Sequence, residues 1–95
     1  MKGRKVDAFE MNNTFSSMPK DILNRQAIHL LTRGDEYLIH QVGVIRLYQM
    51  HGIVLSINSE SLFMKFFDTE SEAIDYYLDQ FKGTRGSKQQ NLLNP

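Results

Sequence analysis

The dipeptide His51-Gly52 constrains the fold more than any other feature of the sequence. It interrupts residues 36–68, a stretch that is rich in β-branched and aromatic residues and has no helical period. The favoured two-residue hairpin turn needs positive φ at both central positions, which glycine adopts freely and histidine more readily than most residues. We therefore predict a tight hairpin centred on this dipeptide.

The predicted hairpin determines the register of the strands around it. It pairs Met50 with Ile53, and a second loop over residues 58–61 would pair Ile57 with Leu62. Side chains alternate between the two faces of a strand, so both hairpins place apolar residues on the same face of the sheet. That face is predicted to collect Met50, Tyr48, Ile53, Leu55, Ile57, Leu62, Met64 and Phe66.

Two amphipathic helices flank the predicted strands. The first, over residues 19–33, is followed by Gly34, which is expected to take the left-handed position common after helices. The second, over residues 69–82, starts at a capping box formed by Thr69 and Glu72. Their apolar stripes are expected to face the sheet and consist of Leu23, Ala27, Leu30 and Leu31 in the first helix and Ala73, Ile74, Tyr77, Leu78 and Phe81 in the second.

These elements predict an α+β fold with two layers. The order is α-β-β-β-α, a three-stranded antiparallel meander with both helices packed on one of its faces. Gly43 is predicted to mark a bulge or a bend in a long first strand. Residues 18–83 are predicted to form a single domain, between a flexible N-terminal segment, residues 1–17, and a flexible basic tail, residues 84–95.

Composition excludes several kinds of site. The chain has no cysteine, so neither disulfides nor thiolate metal sites can form, and a reducing, cytoplasmic location is expected. No stretch reaches the roughly 20 apolar residues of a membrane span, so no membrane association is expected. His29, His40 and His51 are spaced by eleven residues, which matches neither helical nor strand spacing for shared metal ligands. No metal, cofactor or catalytic residue is predicted, because no phosphate loop and no nucleophile with a partnering base is recognisable.

The net charge of zero hides an uneven distribution. Residues 1–5 and 82–95 carry six basic and no acidic residues, whereas residues 6–81 carry five basic and eleven acidic residues, a net charge of −6. Within that acidic body, Arg25, His29 and Arg33 follow each other at intervals of four, which places them on one solvent-facing side of the first helix. We call these three residues the cationic stripe. It is a candidate site for phosphates or for an acidic partner surface.

The predicted order of elements is similar to that of the double-stranded RNA-binding domain. That family carries a lysine-rich run at the start of its second helix, where it contacts phosphates. Here residues 68–73, DTESEA, occupy that place and are acidic. The resemblance therefore extends to the order of the elements alone. A nucleic-acid-binding module remains the alternative function, and it rests on the cationic stripe and the basic ends.

The face of the sheet opposite the predicted core is unusually apolar. Antiparallel sheets that face solvent usually alternate apolar and polar residues cleanly, so an apolar outer face is expected to be covered. A second copy of the chain, a partner protein, or the N-terminal segment through Phe9, Met11 and Phe15 would each cover it. The primary prediction is a small non-catalytic binding or adaptor module, homodimeric through this open face. The predicted partner-binding residues are Ile45, Leu47, Val54, Phe63, Lys65 and Phe67.

Overall fold

The computed structural model describes residues 7–80 of the chain. Within this range the elements are α1 (Ala8–Ser16), α2 (Lys20–Arg33), a 3-10 turn (Asp35–Tyr37), β1 (Leu38–Val42), β2 (Ile45–Met50), β3 (Ile53–Asn58), β4 (Met64–Phe67) and α3 (residues 70–80). The strands form one antiparallel sheet in the order β1-β2-β3-β4. The α+β class is confirmed. The prediction of three strands and two helices was wrong in detail, because residues 7–80 contain four strands and three helices. The order α-β-β-β-α, and with it the likeness to the double-stranded RNA-binding domain, no longer applies.

The hairpin between β2 and β3 has the predicted turn and register. His51 and Gly52 both have positive φ, at 50° and 82°. Met50 pairs with Ile53, and the pairing continues without interruption to Ile45 and Asn58. The local sequence therefore determines this part of the sheet.

The sequence had suggested that Gly43 marks a bulge or a bend in a single long strand. In the structure it forms a second hairpin turn instead. It has a φ of 60° and, with Val44, connects β1 to β2 through the pair Val42 and Ile45. Glycine tolerates this left-handed conformation, so the chain can reverse here within two residues. This reversal adds the fourth strand to the sheet.

The register of β4 is two residues away from the predicted one. Ile57 pairs with Met64 rather than with Leu62. The loop is longer because the Asn58 carboxamide oxygen accepts hydrogen bonds from the N–H groups of Glu60 and Ser61, at 2.8 and 2.9 Å. A shift of two residues keeps each side chain on its predicted face, because side chains alternate with a period of two.

The helices lie on both faces of the sheet, which corrects the prediction that they share one. Ala8 of α1 and Ala27 of α2 are buried against the face that carries Tyr48 and Leu55. Ala73 of α3 and its neighbour Tyr77 are buried against the opposite face. The first face already holds two helices, so α3 covers the second apolar face and removes it from water.

Helix α1 occupies residues that the sequence analysis assigned to a flexible segment. The Asp7 carboxylate accepts the N–H of Glu10 at 2.9 Å and caps the helix. Ala8, Met11 and Phe15 lie three and four residues apart and face the sheet. The remaining predictions for residues 1–6 and for the basic tail, residues 84–95, lie outside the described residues.

Helix α1 also closes the free edge of β4. The N–H of Phe66 donates to Asn12 Oδ1 at 2.8 Å, and Asn12 Nδ2 donates to the Phe66 carbonyl at 3.0 Å. The Ala8 N–H donates to Asp68 Oδ1 at 2.9 Å, next to the end of the strand. The Asn12 amide makes the pair of hydrogen bonds that another strand would make, so this edge is protected from strand pairing.

Helices α2 and α3 lie where they were predicted, but Leu78, which was expected to face the sheet, is 48% exposed. Helix α2 ends at Arg33 as predicted, but Gly34 has a φ of −98° and is not left-handed. A Cβ at Gly34 would lie 2.7 Å from the Leu30 carbonyl oxygen, so glycine is required for this close approach. At α3, Thr69 Oγ1 accepts the N–H of Glu72 at 3.2 Å, as expected of its cap. None of the helices in the described part is long and apolar enough to span a membrane.

Candidate binding groove

The predicted partner-binding face is covered by α3 and is not open. Ile45, Leu47, Val54 and Phe67 are brought together, as predicted, but they are buried in one cluster with Ala73 and Tyr77 of the helix. The cover is therefore α3, and not a second copy of the chain, a partner protein or the N-terminal segment. A dimer that used these residues would require α3 to leave the sheet.

The other two predicted partner-binding residues lie at different places. The Lys65 ammonium lies 5.4 Å from the ring centroid of Tyr76 and 5.7 Å from that of Phe67, which attaches α3 to β4 by cation–π contacts. Phe63 precedes β4 in the loop and is 60% exposed. The structure therefore separates Phe63 from the cluster to which the sequence assigned it.

One buried polar pair completes the packing beneath α3. The Ser56 hydroxyl donates to the Lys65 carbonyl at 2.9 Å and therefore accepts from the Tyr77 hydroxyl, also at 2.9 Å. Burial raises the pKa of Tyr77 above its ordinary value of 10.0. Each hydroxyl has a partner, so this face combines apolar closure with satisfied hydrogen bonds.

The opposite face contains a groove between α1 and α2, which we call the interhelix groove. The part of the groove near the β2–β3 turn is a cavity of about 290 Å³. The floor is formed by side chains of the strands, and the walls by one side of each helix. The lining apolar residues are Met11, Phe15, Leu30, Met50, Ile53, Leu55, Met64 and Phe66. Gln26 and His51 are its only polar lining residues within the described range, and both are exposed.

A second cavity continues the groove towards the β3–β4 loop. It has a volume of about 610 Å³ and shares Phe15 and Met64 with the first. The Phe15 ring meets the Phe66 ring edge to face, with centroids 4.8 Å apart, at the boundary between the two cavities. This second part is more polar, because Lys20 and Asn24 of α2 contribute to its lining. The groove therefore runs from an apolar end at His51 to a polar end at the loop.

The cationic stripe lies beside the groove. Arg25, His29 and Arg33 are all exposed. His29 follows Gln26 by three residues and Arg33 follows Leu30 by three, so each is a surface neighbour of a residue that lines the groove. Arg25 Nη2 lies 3.7 Å from the Asp21 carboxylate, and because both side chains are mostly in solvent this pair holds the stripe only weakly.

Helices α2 and α3, on opposite faces of the sheet, carry net charges of opposite sign. Helix α2, residues 20–33, has three basic residues and one acidic residue, whereas α3, residues 70–80, has four acidic and no basic residues. Helix α1 and its cap, residues 7–16, add two acidic residues on the side of the groove, so α1 and α2 together have a net charge of zero, against −4 for α3. A negatively charged molecule will approach α2 more readily than α3.

The groove was not predicted, although part of its signal was present. Met11, Met50 and Met64 belong to segments that sequence analysis placed in a flexible region or in the core. The incomplete contact between two helices depends on their separation in space, which no local pattern records. His51 was predicted only as a turn residue, and its place at the rim of the groove is a second role. The described residues hold no group of three or more His, Asp or Glu side chains that could bind a metal ion.

No protein-family model, no curated protein and no solved structure matches this chain.

Proposed function

We propose that this chain is a small non-catalytic binding module that acts through protein–protein association. The partner inserts an apolar side chain into the apolar part of the interhelix groove, near the β2–β3 turn. The observation that carries this proposal is the cavity of about 290 Å³, lined by eight apolar side chains and bordered by the exposed residues Gln26 and His51.

The size and the lining of the cavity suit an anchor side chain. A cavity of about 150 Å³ is sufficient to hold a benzene molecule, so this one accommodates a phenylalanine or leucine side chain. Binding between proteins often depends on a few apolar anchors that fill pockets of the partner. Three of the lining residues are methionines, whose flexible side chains adapt to anchors of different shape.

The three lining methionines also supply the assay. The chain has five methionines, and Met11, Met50 and Met64 line the cavity. With ¹³C-methyl methionine labelling, a neutral 12-residue peptide with a single phenylalanine among glutamine and serine should shift these three methyl resonances in a saturable manner. The same peptide with alanine in place of phenylalanine should leave them unchanged.

A variant that fills the cavity tests the site itself. Met50→Trp should weaken peptide binding by roughly tenfold or more, because the indole occupies the space of the anchor. Thermal stability should be kept or increased, since a filled cavity regains packing contacts. Leu78→Trp on the exposed side of α3 is the matched control and should leave binding unchanged. Unchanged binding by the Met50 variant would place the site elsewhere and overturn the proposal.

Two other ligands give distinct outcomes. If decanoate shifts the three methyl resonances and no peptide does, the ligand is a small amphiphile and not a protein. A second copy of the chain is one form of protein partner, and the exposed Phe63 is an anchor that it offers. Sedimentation would then show a dimer that Phe63→Glu dissociates, and a monomer at every concentration would leave a different protein as the partner.

A further inference from the structure

We infer that the segment recognised by the interhelix groove is acidic, with carboxylates on both sides of its apolar anchor. This inference rests on the proposed function and adds the chemistry of the partner. Two independent features lie on the same surface, the apolar cavity and the cationic stripe of α2. Neither feature alone specifies a partner, but together they fit an acidic segment with an apolar anchor.

The positions of the charges relative to the cavity carry the inference. His29 and Arg33 each follow a lining residue of α2 by three positions, so they border the same wall that an anchor would touch. Lys20 lines the more polar part of the groove, at the other end of the helix. A segment lying along the groove therefore meets positive charge on the α2 side over the length of the helix.

The electrostatics of residues 6–81 favour a short carboxylate segment over a nucleic acid at this site. Residues 6–81 carry a net charge of −6, which repels a polyanion that extends beyond the groove. A short acidic segment contacts the stripe without approaching the four acidic side chains of α3, residues 70–80, on the opposite side. Carboxylates beside an apolar anchor therefore match both the local charge and the limited extent of this surface.

The inference is tested with three 12-residue peptides that share one phenylalanine anchor and differ only in their flanks. The flanks are glutamate, glutamine or lysine, and binding is followed at the methyl groups of Met11, Met50 and Met64. The acidic peptide should bind roughly tenfold more tightly than the neutral one, since two or three exposed charge pairs contribute modestly each. The lysine peptide should bind most weakly, and raising the salt concentration to 1 M should reduce the differences.

Charge reversal identifies the residues responsible. The double variant Arg25→Glu, Arg33→Glu should reverse the order of the acidic and lysine peptides, with the neutral peptide between them. The matched control is Asp75→Lys, Asp79→Lys on α3, which changes the net charge by the same amount in the opposite direction. It should keep the order of the three peptides.

The outcomes separate this inference from the proposed function. Equal binding of the acidic and neutral peptides, with the methyl shifts retained, would overturn the acidic partner and leave the groove as a protein-binding site. No methyl shift with any of the peptides would overturn the proposed function itself. Tight binding of a 20-base oligonucleotide, lost in the Arg25 and Arg33 double variant and strongly weakened by salt, would replace the acidic protein with a nucleic acid.

Discussion

The two faces of the sheet are both covered by helices, but only one of them is sealed. Both faces bury their central side chains completely, Leu47 and Val54 under α3 and Tyr48 and Ile57 under the other two helices. On the grooved face, however, Met50 and Met64 stay only half-buried. Under α1 and α2, the side chains of the strands form the floor of a groove. The apolar content of a face therefore does not decide whether it is available for binding, because the arrangement of the helices above it decides.

The difference between the faces has a local cause. Ala73 allows α3 to approach the sheet closely, while Tyr77 and Phe67, with rings 5.9 Å apart, fill the space beside it. On the other face Ala8 and Ala27 allow two helices to approach, but the helices leave space between them. One helix centred on its face seals it, whereas two helices side by side leave a groove between them.

The largest effect is expected from Leu47→Ala on the sealed face. The free energy of unfolding should fall by about 3 kcal/mol, because a fully buried leucine leaves a cavity when truncated. Urea unfolding of the two proteins measures the change, and Phe63→Ala, at an exposed position, is the comparison and should cost much less. A stability that is unchanged by Leu47→Ala would mean that α3 does not cover this face.

A smaller effect is expected from Asn12→Ala on the grooved face. The variant leaves the N–H and carbonyl of Phe66 without their partners and should lower the free energy of unfolding by about 2 kcal/mol. Amide hydrogen exchange at Phe66 should become faster. Asn13→Ala, at the exposed neighbouring position of α1, should change neither quantity, and an equal effect at both positions would contradict the edge contact.

The smallest effect is expected from Tyr77→Phe. The variant loses the hydrogen bond that the Tyr77 hydroxyl donates to Ser56, so the free energy of unfolding should fall by about 1 kcal/mol. Tyr76→Phe is the control, because the Tyr76 hydroxyl contacts only the exposed Gln80 amide at 3.2 Å among the hydrogen bonds of the described residues. Equal losses in urea unfolding for the two variants would argue against the buried pair.

The same pair gives a dependence on pH. The pKa of Tyr77 is raised in the folded protein, so its contribution to stability is complete below pH 10.0 and is lost as the pH rises through the folded pKa. The free energy of unfolding should therefore decrease above pH 10.0, and the decrease should be shallower in Tyr77→Phe. Parallel curves for the two proteins would assign the decrease to other groups.

Much of the local structure, but not the candidate site, was predictable from the sequence. The turn at His51-Gly52 and the cap at Thr69 depend on neighbouring residues, so their patterns are visible in the chain. Helix α1 was missed, although Asp7 and the spacing of Ala8, Met11 and Phe15 indicate it. The groove lies between α1 and α2. Because α1 was not predicted, the groove could not be predicted either.

Local sequence patterns are sufficient for the strand register around His51-Gly52, the apolar character of both faces, and the helical segments at residues 20–33 and 70–80. The face that each helix covers follows instead from packing between distant parts of the chain. An amphipathic stripe specifies that a helix must be buried, but two faces of similar apolar content satisfy it equally well. The choice depends on what already occupies each face, and α1, with Asn12 on the edge of β4, occupies the first one.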